Sequence, residues 1–178
     1  MKIHKNVQIE KAASNDDTRK ILCNPWLDGS NLVATNGRIL AVIPIEKSDH
    51  DTDGIIPSAA LKEARKIKQD QVEINANGCV TYSNKNGSFT LEREKDVTFP
   101  NYKQLIVNAN DHKKYIKIAL DVDLLINLAA ALGGKNDQVN IEIPLNEEGL
   151  PLNHAFKVTP LIPSQAGAFG LLMPCRIS

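Results

Sequence analysis

The chain of 178 residues is 42% hydrophobic and 24% charged, which allows it to bury one domain or two small ones without disulfide bonds. Lysine plus arginine and aspartate plus glutamate balance at 21 each, which excludes a strongly basic nucleic-acid-binding protein and leaves any DNA affinity to a local patch. No apolar run approaches the roughly 18 residues of a membrane span. Cys23, Cys79 and Cys175 form neither a CxxC pair nor an even set, so we expect a cytoplasmic protein with reduced thiols and no membrane partner.

Short strands dominate the predicted structure of the first 46 residues. Residues 2–10 alternate weakly between apolar and polar side chains and predict an edge strand, and residues 19–23 predict another short strand. The apolar runs 31–35 and 39–45 bracket the sequence Asn-Gly-Arg at 36–38. An Asn-Gly pair between two such runs predicts a hairpin because both residues accept positive φ. We expect no helix in this part of the chain.

An acidic segment follows at 49–54, with the sequence Asp-His-Asp-Thr-Asp-Gly. It matches the first half of a calcium-binding loop, but the twelfth position, which should supply a bidentate glutamate, is Ala60. Pro57 also stands where a ligand or flexible backbone would be expected. We therefore expect a solvated acidic loop, with no metal and no cofactor.

A helix is predicted over 59–69, after the start signal Pro57-Ser58. Alanine, leucine and isoleucine side chains share one of its faces, and cations outnumber the single carboxylate Glu63 four to one on the others. The cations are Lys62, Arg65, Lys66 and Lys68.

The remaining pattern repeats the order of strand, helix and three strands, at about 45–119 and again at about 113–178. In the first copy, strands at 71–75, 79–83 and 88–92 follow the helix, a turn at 99–102 precedes the apolar residues 105–107, and 108–111 predicts a linker. In the second copy, a strand at 115–120 precedes a helix that begins at the cap Asp121 and ends at Leu132, and strands follow at 138–143, 154–159 and 168–175. Such antiparallel strands with helices on one side define an α+β fold.

Sequence signatures of catalysis are scarce. There is no nucleophile elbow and no HExxH, and the Gly-Gly-Lys at 133–135 follows a helix instead of opening one, as a phosphate loop would. We therefore expect a binding protein and not an enzyme. The alternative is a small α+β enzyme or ligand-binding domain, which a pocket of titratable side chains around His50 or His154 would favour.

Three segments, in order, resemble the bacterial sliding clamp, the β subunit of the replicative DNA polymerase. Residues 32–42, Leu-Val-Ala-Thr-Asn-Gly-Arg-Ile-Leu-Ala-Val, resemble the family's V-A-T-D-G-H-R-L-A. Residues 99–105, Phe-Pro-Asn-Tyr-Lys-Gln-Leu, are similar to its F-P-D-Y-R-R-V, and residues 171–177, Leu-Leu-Met-Pro-Cys-Arg-Ile, to its closing V-V-M-P-M-R-L. The resemblance covers nearly the whole chain and implies a DNA-clamp fold.

The resemblance also implies a domain organisation. Residues 1–108 resemble the middle domain of a clamp subunit with its first helix lost, and 109–178 resemble the second half of the last domain, so that about one and a half clamp domains are present. The family's first domain, which takes part in the subunit contact, has no counterpart. Three half-units per chain would permit a homo-oligomeric ring of four subunits if the contacts close.

In the family, a groove between the middle and last domains binds short apolar peptides of DNA polymerases, clamp loaders and repair proteins. Carried over by motif, its walls are Leu22, Thr35, Gly37, Arg38, Leu40, Pro100, Leu105, Leu171, Leu172, Met173, Pro174 and Arg176. Departures from the motifs are Asn36 for Asp, Ile39 for Arg, Gln104 for Arg and Cys175 for Met, which remove charge from the rim. For the closing segment the alternative is a plain core strand, because alternate residues of a strand face inward.

The second family function is to hold double-stranded DNA independently of sequence, through helices that face the hole of the ring and meet phosphates. The helix that carries Lys62, Arg65, Lys66 and Lys68 suits this role, whereas the helix from Asp121 to Leu132 has no lysine or arginine. The resemblance thus implies a non-enzymatic clamp-like protein in DNA replication. A further alternative is a competitor that occupies clamp-binding peptides without forming a ring.

Overall fold

The computed structural model describes residues 1–67, 69–94, 96–110, 116–132, 138–161 and 167–175. The chain divides into two compact units, an N-terminal unit, Met1–Val107, and a C-terminal unit, Asn108–Ser178. No helix in these described ranges is both long enough and apolar enough to cross a bilayer.

Two antiparallel four-stranded sheets form the N-terminal unit within the described residues, one in the order β1-β6-β7-β8 and the other in the order β4-β3-β2-β5. The strands are β1 Lys2–His4, β2 Trp26–Asp28, β3 Asn31–Thr35, β4 Leu40–Pro44, β5 Gly54–Ile55, β6 Gln71–Asn75, β7 Cys79–Asn84 and β8 Gly87–Glu92. Both predicted hairpins are confirmed, with Thr35 opposite Leu40 in one and Asn84 opposite Gly87 in the other. The predicted edge strand is also present, shortened to β1.

The strand predicted at 19–23 is wrong, because this segment lies in a 3-10 helix, Asp17–Cys23. The carboxylate of Asp16 initiates it by accepting hydrogen bonds from the Thr18 N–H at 3.0 Å and the Thr18 hydroxyl at 2.6 Å. Such local side-chain bonds compete with strand formation. A shorter 3-10 helix, Ile9–Ala12, precedes it, so the expectation that no helix lies in this part is also wrong.

The main core of the N-terminal unit is aliphatic apart from Tyr82 and packs against the helix α1, Ser58–Ala64. Ile9 and Ala12 of the first 3-10 helix pack there with Leu61 and Ala64 of α1. The helix is shorter than the predicted 59–69, because the backbone bonds tighten after Ala64. The Lys66 N–H donates to the Glu63 carbonyl and the Ile67 N–H to the Ala64 carbonyl, three residues back in each case.

The acidic loop is not fully solvated as predicted, because Asp51 is only 6% exposed. Its carboxylate accepts hydrogen bonds from the Met1 ammonium at 2.6 Å and from the N–H groups of Ser48 at 2.9 Å and Ala76 at 2.8 Å. Burial raises the pKa of Asp51, but these donors outweigh it and the net pKa is lowered. The Asp51 carboxylate is therefore already hydrogen-bonded to donors within the protein.

A helix, α2, spans Lys103–Asn110, where the sequence predicts an apolar segment and a linker. The Leu105 and Ile106 N–H groups both donate to the Tyr102 carbonyl, which continues the turn into a helix. Asparagine is a weak helix former, so the Asn-Ala-Asn at 108–110 gave no helical signal. Residues 108–110 of the predicted linker are therefore helical, and the division between the two compact units falls at their start, between Val107 and Asn108.

The C-terminal unit has one helix and a three-stranded antiparallel sheet within the described residues, in the order β11-β10-β9. The elements are α3 Val122–Ala131, β9 Val139–Glu142, β10 Phe156–Pro160 and β11 Gly170–Leu172. The predicted cap is confirmed, since the Asp121 Oδ1 accepts from the Asp123 and Leu124 N–H groups. The predicted order of a helix followed by three strands therefore occurs in both units.

The strand predicted at 115–120 is wrong for its described residues, 116–120, which form no ladder. The Ala119 carbonyl instead accepts one backbone hydrogen bond, from the Cys175 N–H at 2.8 Å.

Candidate functional site

The turn at 36–38 is fixed by side-chain oxygens. The Asn36 Oδ1 accepts hydrogen bonds from the N–H groups of Arg38 at 2.9 Å and Ile39 at 3.0 Å. The Thr35 hydroxyl donates to the Ile39 carbonyl at 2.6 Å and accepts from the Gly37 N–H at 3.1 Å. Gly37 has a φ of +86°, and a Cβ there would lie 3.1 Å from Arg19 Nη1. The turn is thus rigid and closely approached, which favours glycine at its centre.

Beside this turn lies a hydrophobic cluster that is separate from the main core. Val33, Phe99 and Tyr102 are its buried members, and Leu22 and Leu40 pack against them. The partly buried residues around the cluster are Ile21, Leu22, Trp26, Leu40 and Val42. The structure therefore brings together two residues, Leu22 and Leu40, that the resemblance assigns to one groove.

Aromatic contacts hold the cluster together. The rings of Trp26 and Phe99 stack with their centroids 5.7 Å apart, and those of Phe99 and Tyr102 meet edge to face at 6.5 Å. The Tyr102 hydroxyl donates to Asp28 Oδ2 at 2.7 Å, and the Lys103 ammonium lies 2.8 Å from the same oxygen. Asp28 thus fastens the segment that carries Pro100 to β2.

The same contacts shift the pKa values of Asp28 and Tyr102. The bonded Lys103 ammonium and Tyr102 hydroxyl hold the pKa of Asp28 below its ordinary value. Burial, together with the bond to the Asp28 carboxylate, raises the pKa of Tyr102 to about 12.

An open cavity of about 330 Å³ adjoins the aromatic contacts. Its lining comprises Trp26, Asp28, Val97, Thr98, Phe99, Pro100, Asn101, Tyr102 and Lys103. Pro100 and Leu105, assigned to the groove by the resemblance, are both exposed, as are Gly37 and Arg38. The exposed apolar side chains of this region belong to short, well-anchored segments.

The closing strand divides the residues assigned to the groove into two sets. Leu172 is 4% exposed and lies opposite Phe156, whereas Leu171 is 62% exposed and Met173 is 59% exposed. Pro174 is half-buried and lines a cavity of about 470 Å³ within the C-terminal unit. The core-strand alternative therefore describes Leu172, and Leu171 and Met173 remain available at the surface. Arg176 lies outside the described residues.

The residues predicted to meet DNA differ in their surroundings. Lys62 is exposed on α1, and the exposed Lys66, beyond its end, pairs with Glu63 at 2.5 Å. Arg65 instead forms a buried ion pair with Glu10, and its Nη1 donates to the Val7 carbonyl at 3.0 Å. Burial lowers the pKa of Arg65. Lys68 lies outside the described residues.

Within the described residues, no group of three or more His, Cys, Asp or Glu side chains could hold a metal ion. Asp53 of the acidic loop is bound by Lys47 at 2.7 Å and by the Gly29 N–H at 3.1 Å.

Sequence reasoning missed Trp26 and Asp28, which lie on β2 and contact Phe99 and Tyr102, beside the residues that the resemblance assigns to the groove. The composition offered a signal for these two residues, because aromatic residues make up only 4% of the chain and there is a single tryptophan. In so aliphatic a protein, one tryptophan near an Asp and a distant Phe-Pro-Asn-Tyr segment is a reason to expect a second, aromatic cluster.

Comparison with known proteins identifies the fold. No protein-family model and no curated protein matches the sequence. Among solved structures, the chain is similar to the DNA polymerase III β subunit of Thermotoga maritima, with a TM-score of 0.63, 18% identity, and coverage of 98% of this chain and 49% of that chain. The DNA polymerase sliding clamp of Pseudomonas aeruginosa gives a TM-score of 0.63 and 16% identity, over 98% of this chain and 50% of that chain. The DNA polymerase III β chain of Streptococcus pneumoniae gives a TM-score of 0.56 and 19% identity, over 99% of this chain and 64% of that chain.

The chain therefore has the α+β sliding-clamp fold, and the resemblance found in its sequence is confirmed at the level of the fold. It spans about half the length of the first two of these clamps.

Proposed function

We propose that this chain is a non-enzymatic, clamp-like protein that binds short apolar peptides of replication proteins and contacts double-stranded DNA through α1. The observation that carries the proposal is the cluster that joins Leu22 and Leu40 to the Phe99–Tyr102 segment beside a rigid Asn-Gly turn. The sliding-clamp fold supports the proposal that this cluster forms one wall of a peptide groove. DNA polymerases and clamp loaders are the class of partner that such a groove serves.

The physical case for peptide binding is the pairing of anchored segments with exposed apolar side chains. Pro100 and Leu105 flank Tyr102, which Asp28 holds in place. Exposed side chains on a supported backbone can bury apolar area without a large ordering cost. Leu171 and Met173 supply the same kind of surface on β11 and just after it.

The test is a titration of a fluorescent peptide that carries the apolar clamp-binding motif of a replicative polymerase. We expect wild type to bind, and Leu105→Asp and Met173→Asp each to weaken binding at least about tenfold, which corresponds to ~1.4 kcal/mol. Both side chains are more than half exposed, so neither change disturbs a core. Leu150→Asp, a change at another exposed leucine outside the proposed groove, is the matched control. The proposal fails if wild type does not bind, or if Leu150→Asp has the same effect.

The DNA contact that we propose is sequence-independent, because α1 carries Lys62, with Lys66 just beyond its end, and offers no base-reading element. Lys62 and Lys66 meet phosphates, and Arg65 holds α1 against Glu10. Retention on closed circular DNA that is lost on linearisation would indicate encirclement by a homo-oligomer. Peptide binding without any DNA retention would favour the competitor without a ring, and a mass measurement at low and high concentration separates a monomer from an assembly.

A further inference from the structure

Two half-units, each a sheet with its accompanying helix, share one core in the N-terminal unit. The main core takes side chains from both four-stranded sheets, among them Leu32 of β3 and Val80 of β7. The 3-10 helix Ile9–Ala12 and α1 contribute to the same core. Each half-unit therefore covers apolar side chains of the other.

The C-terminal unit has one sheet and one helix within the described residues, and therefore one half-unit. Its buried hydrophobic side chains there belong to Ala129 on α3, Phe156 and Val158 on β10, and Leu172 on β11. No second sheet packs on this small core in the described ranges. Apolar surface of the half-unit is consequently left uncovered.

The uncovered surface begins on α3. Leu128 anchors this helix to the sheet, because it lies against Gly170 of β11. On the opposite side, about 160° around the helix from Leu128, Ile126 is 58% exposed. Val122, which is 63% exposed, and the exposed Ala130 extend the same ridge, because residues four apart lie one above the other. A ridge with this spacing is the surface through which helices pack on one another.

The uncovered surface continues on β9. Val139 and Ile141 are half-buried and alternate with exposed polar residues. Ile141 lies opposite the buried Val158, so both face the inner side of the sheet. The strand order places β9 at the edge away from β11, where Leu128 anchors α3. We call Val122, Ile126, Ala130, Val139 and Ile141 the open face.

A unit of this size needs support beyond its own core. Units below about 70–80 residues are usually stabilised by disulfides, a metal or association. The C-terminal unit, Asn108–Ser178, contains a single cysteine, Cys175, so it can form no internal disulfide. Its described residues offer no group of side chains that could hold a metal. Association through the open face is the remaining means of support.

The composition of α3 indicates what the open face associates with. No charged residue occurs from Leu124 to Leu132. The face therefore offers no charge to a phosphate or to a charged peptide, and its complement is another uncharged apolar surface. The N-terminal unit shows that the complement of one half-unit is a second half-unit, and a second copy of this chain carries one with the same open face.

We propose that the open face packs against the open face of a second copy, in a twofold-symmetric dimer whose two C-terminal half-units share one core. A standard interface buries about 800 Å² on each partner, more than one flank of a ten-residue helix offers, so the contact includes β9 as well as α3. The inference goes beyond the proposed function and does not depend on it, because neither peptide nor DNA binding enters the argument.

Charge fixes the direction of the two helices. Asp121 and Asp123 lie at the beginning of α3 and would face their counterparts in a parallel pair. An antiparallel pair keeps these carboxylates apart by about the length of the helix, about 15 Å. The twofold axis then passes beside Ile126, at the centre of the ridge, and each Ile126 contacts that of the partner copy.

The first test measures the mass of wild type, Ile126→Asp and Leu124→Asp by sedimentation over a wide range of protein concentration. We expect wild type to associate, and Ile126→Asp to raise the dissociation constant at least about thirtyfold, because the symmetric contact would bury two carboxylates. Leu124 is the matched control, since it is 54% exposed on the same helix but about 160° away from Ile126. Leu124→Asp should associate as wild type does, and circular dichroism checks that both variants are folded.

The second test locates the axis. In a Cys175→Ser background, which removes the exposed native thiol, Ile126→Cys should form a covalent dimer on mild oxidation, because a residue beside a twofold axis meets its own counterpart. Leu124→Cys should remain monomeric on a denaturing gel.

The opposite results would overturn the inference. A wild type that stays monomeric at every concentration would show that a second copy does not cover the open face. Association that Ile126→Asp and Leu124→Asp affect equally, or crosslinking through Leu124→Cys in place of Ile126→Cys, would assign the contact to another surface. Peptide or DNA binding by a monomeric wild type would leave the proposed function standing while refuting the dimer.

Discussion

Asn36 shows that a single side-chain oxygen is enough to preserve a turn. It stands where the resemblance places an aspartate, and its Oδ1 accepts the Arg38 and Ile39 N–H groups that a carboxylate would accept. The geometry of the turn is therefore kept while a negative charge is lost from the rim of the proposed groove. Peptides with acidic side chains next to their apolar anchors should meet less repulsion at this position.

Tyr102 is the residue that joins the fold to the proposed groove. Its ring belongs to the second cluster, and its hydroxyl donates to Asp28. Burial disfavours the charged phenolate, and ionisation would also break the bond to Asp28 and place two negative charges side by side, so the pKa of Tyr102 rises to about 12.

Tyr102→Phe tests this arrangement at the residue scale. At neutral pH we expect the variant to lose about 1 kcal/mol of unfolding free energy, since one hydrogen bond is removed and the ring is kept. The raised pKa means that the stabilisation is complete below about 10, the ordinary pKa of tyrosine, and is lost as the pH rises through about 12. The difference in thermal stability between wild type and variant should therefore narrow over that interval. A difference that stays constant there would contradict the pKa shift, and an Asp28→Asn background should weaken the narrowing.

In the closing strand, β11, the face on which a residue lies determines whether its side chain is buried or exposed. Along β11 and the residue after it, Leu172 faces the core of the C-terminal unit while Leu171 and Met173 face outward. Gly170 opens this strand and lies against α3. An added Cβ would lie 2.5 Å from Cδ1 and 3.0 Å from Cγ of Leu128. The absence of a side chain at Gly170 is what lets α3 approach the strand.

Gly170→Ala therefore tests the packing of α3 on β11. We expect a loss of about 1–3 kcal/mol in unfolding free energy, as is usual when a methyl group is forced into a filled space. Urea denaturation of the variant measures the loss. In a Leu128→Ala background the same change should cost little, because the crowding atoms are gone. Equal losses in both backgrounds would show that the Leu128 contact is not the cause.

At the scale of the whole molecule, the N-terminal unit has many more buried hydrophobic side chains than the described part of the C-terminal unit. The N-terminal unit has a large aliphatic core and the aromatic cluster. In the described part of the C-terminal unit, the buried hydrophobic residues are Ala129, Phe156, Val158 and Leu172. Separate cores in one chain predict unfolding in more than one step, with the C-terminal unit less stable.

Trp26, the single tryptophan, makes this prediction measurable because it lies in the N-terminal unit. Leu27→Ala, in the main core, should lower the midpoint of the tryptophan fluorescence transition by an amount corresponding to about 2–5 kcal/mol. Leu172→Ala should leave that midpoint unchanged and speed amide hydrogen exchange in β10 and β11. If Leu172→Ala shifts the tryptophan transition as strongly as Leu27→Ala does, the chain unfolds as one cooperative body.

The sequence by itself determined the features that depend on neighbours along the chain. The Asn-Gly turn, the Asp121 cap and the order of a helix followed by three strands are present as predicted, because turn and cap preferences act over a few residues. The three short motifs were also sufficient to indicate the clamp fold, which the solved structures confirm.

Tertiary structure decided which side chains are free to act. Arg65 is engaged by Glu10, Asp51 is engaged by the Met1 ammonium, and Leu172 is buried beside an exposed Leu171. None of these outcomes follows from local pattern, because each partner lies tens of residues away or on the far face of a strand. The motifs indicated Leu22 and Leu40, which pack against one cluster, but the hydrogen bond from Tyr102 to Asp28 that supports this cluster joins residues 74 positions apart and depends on the fold.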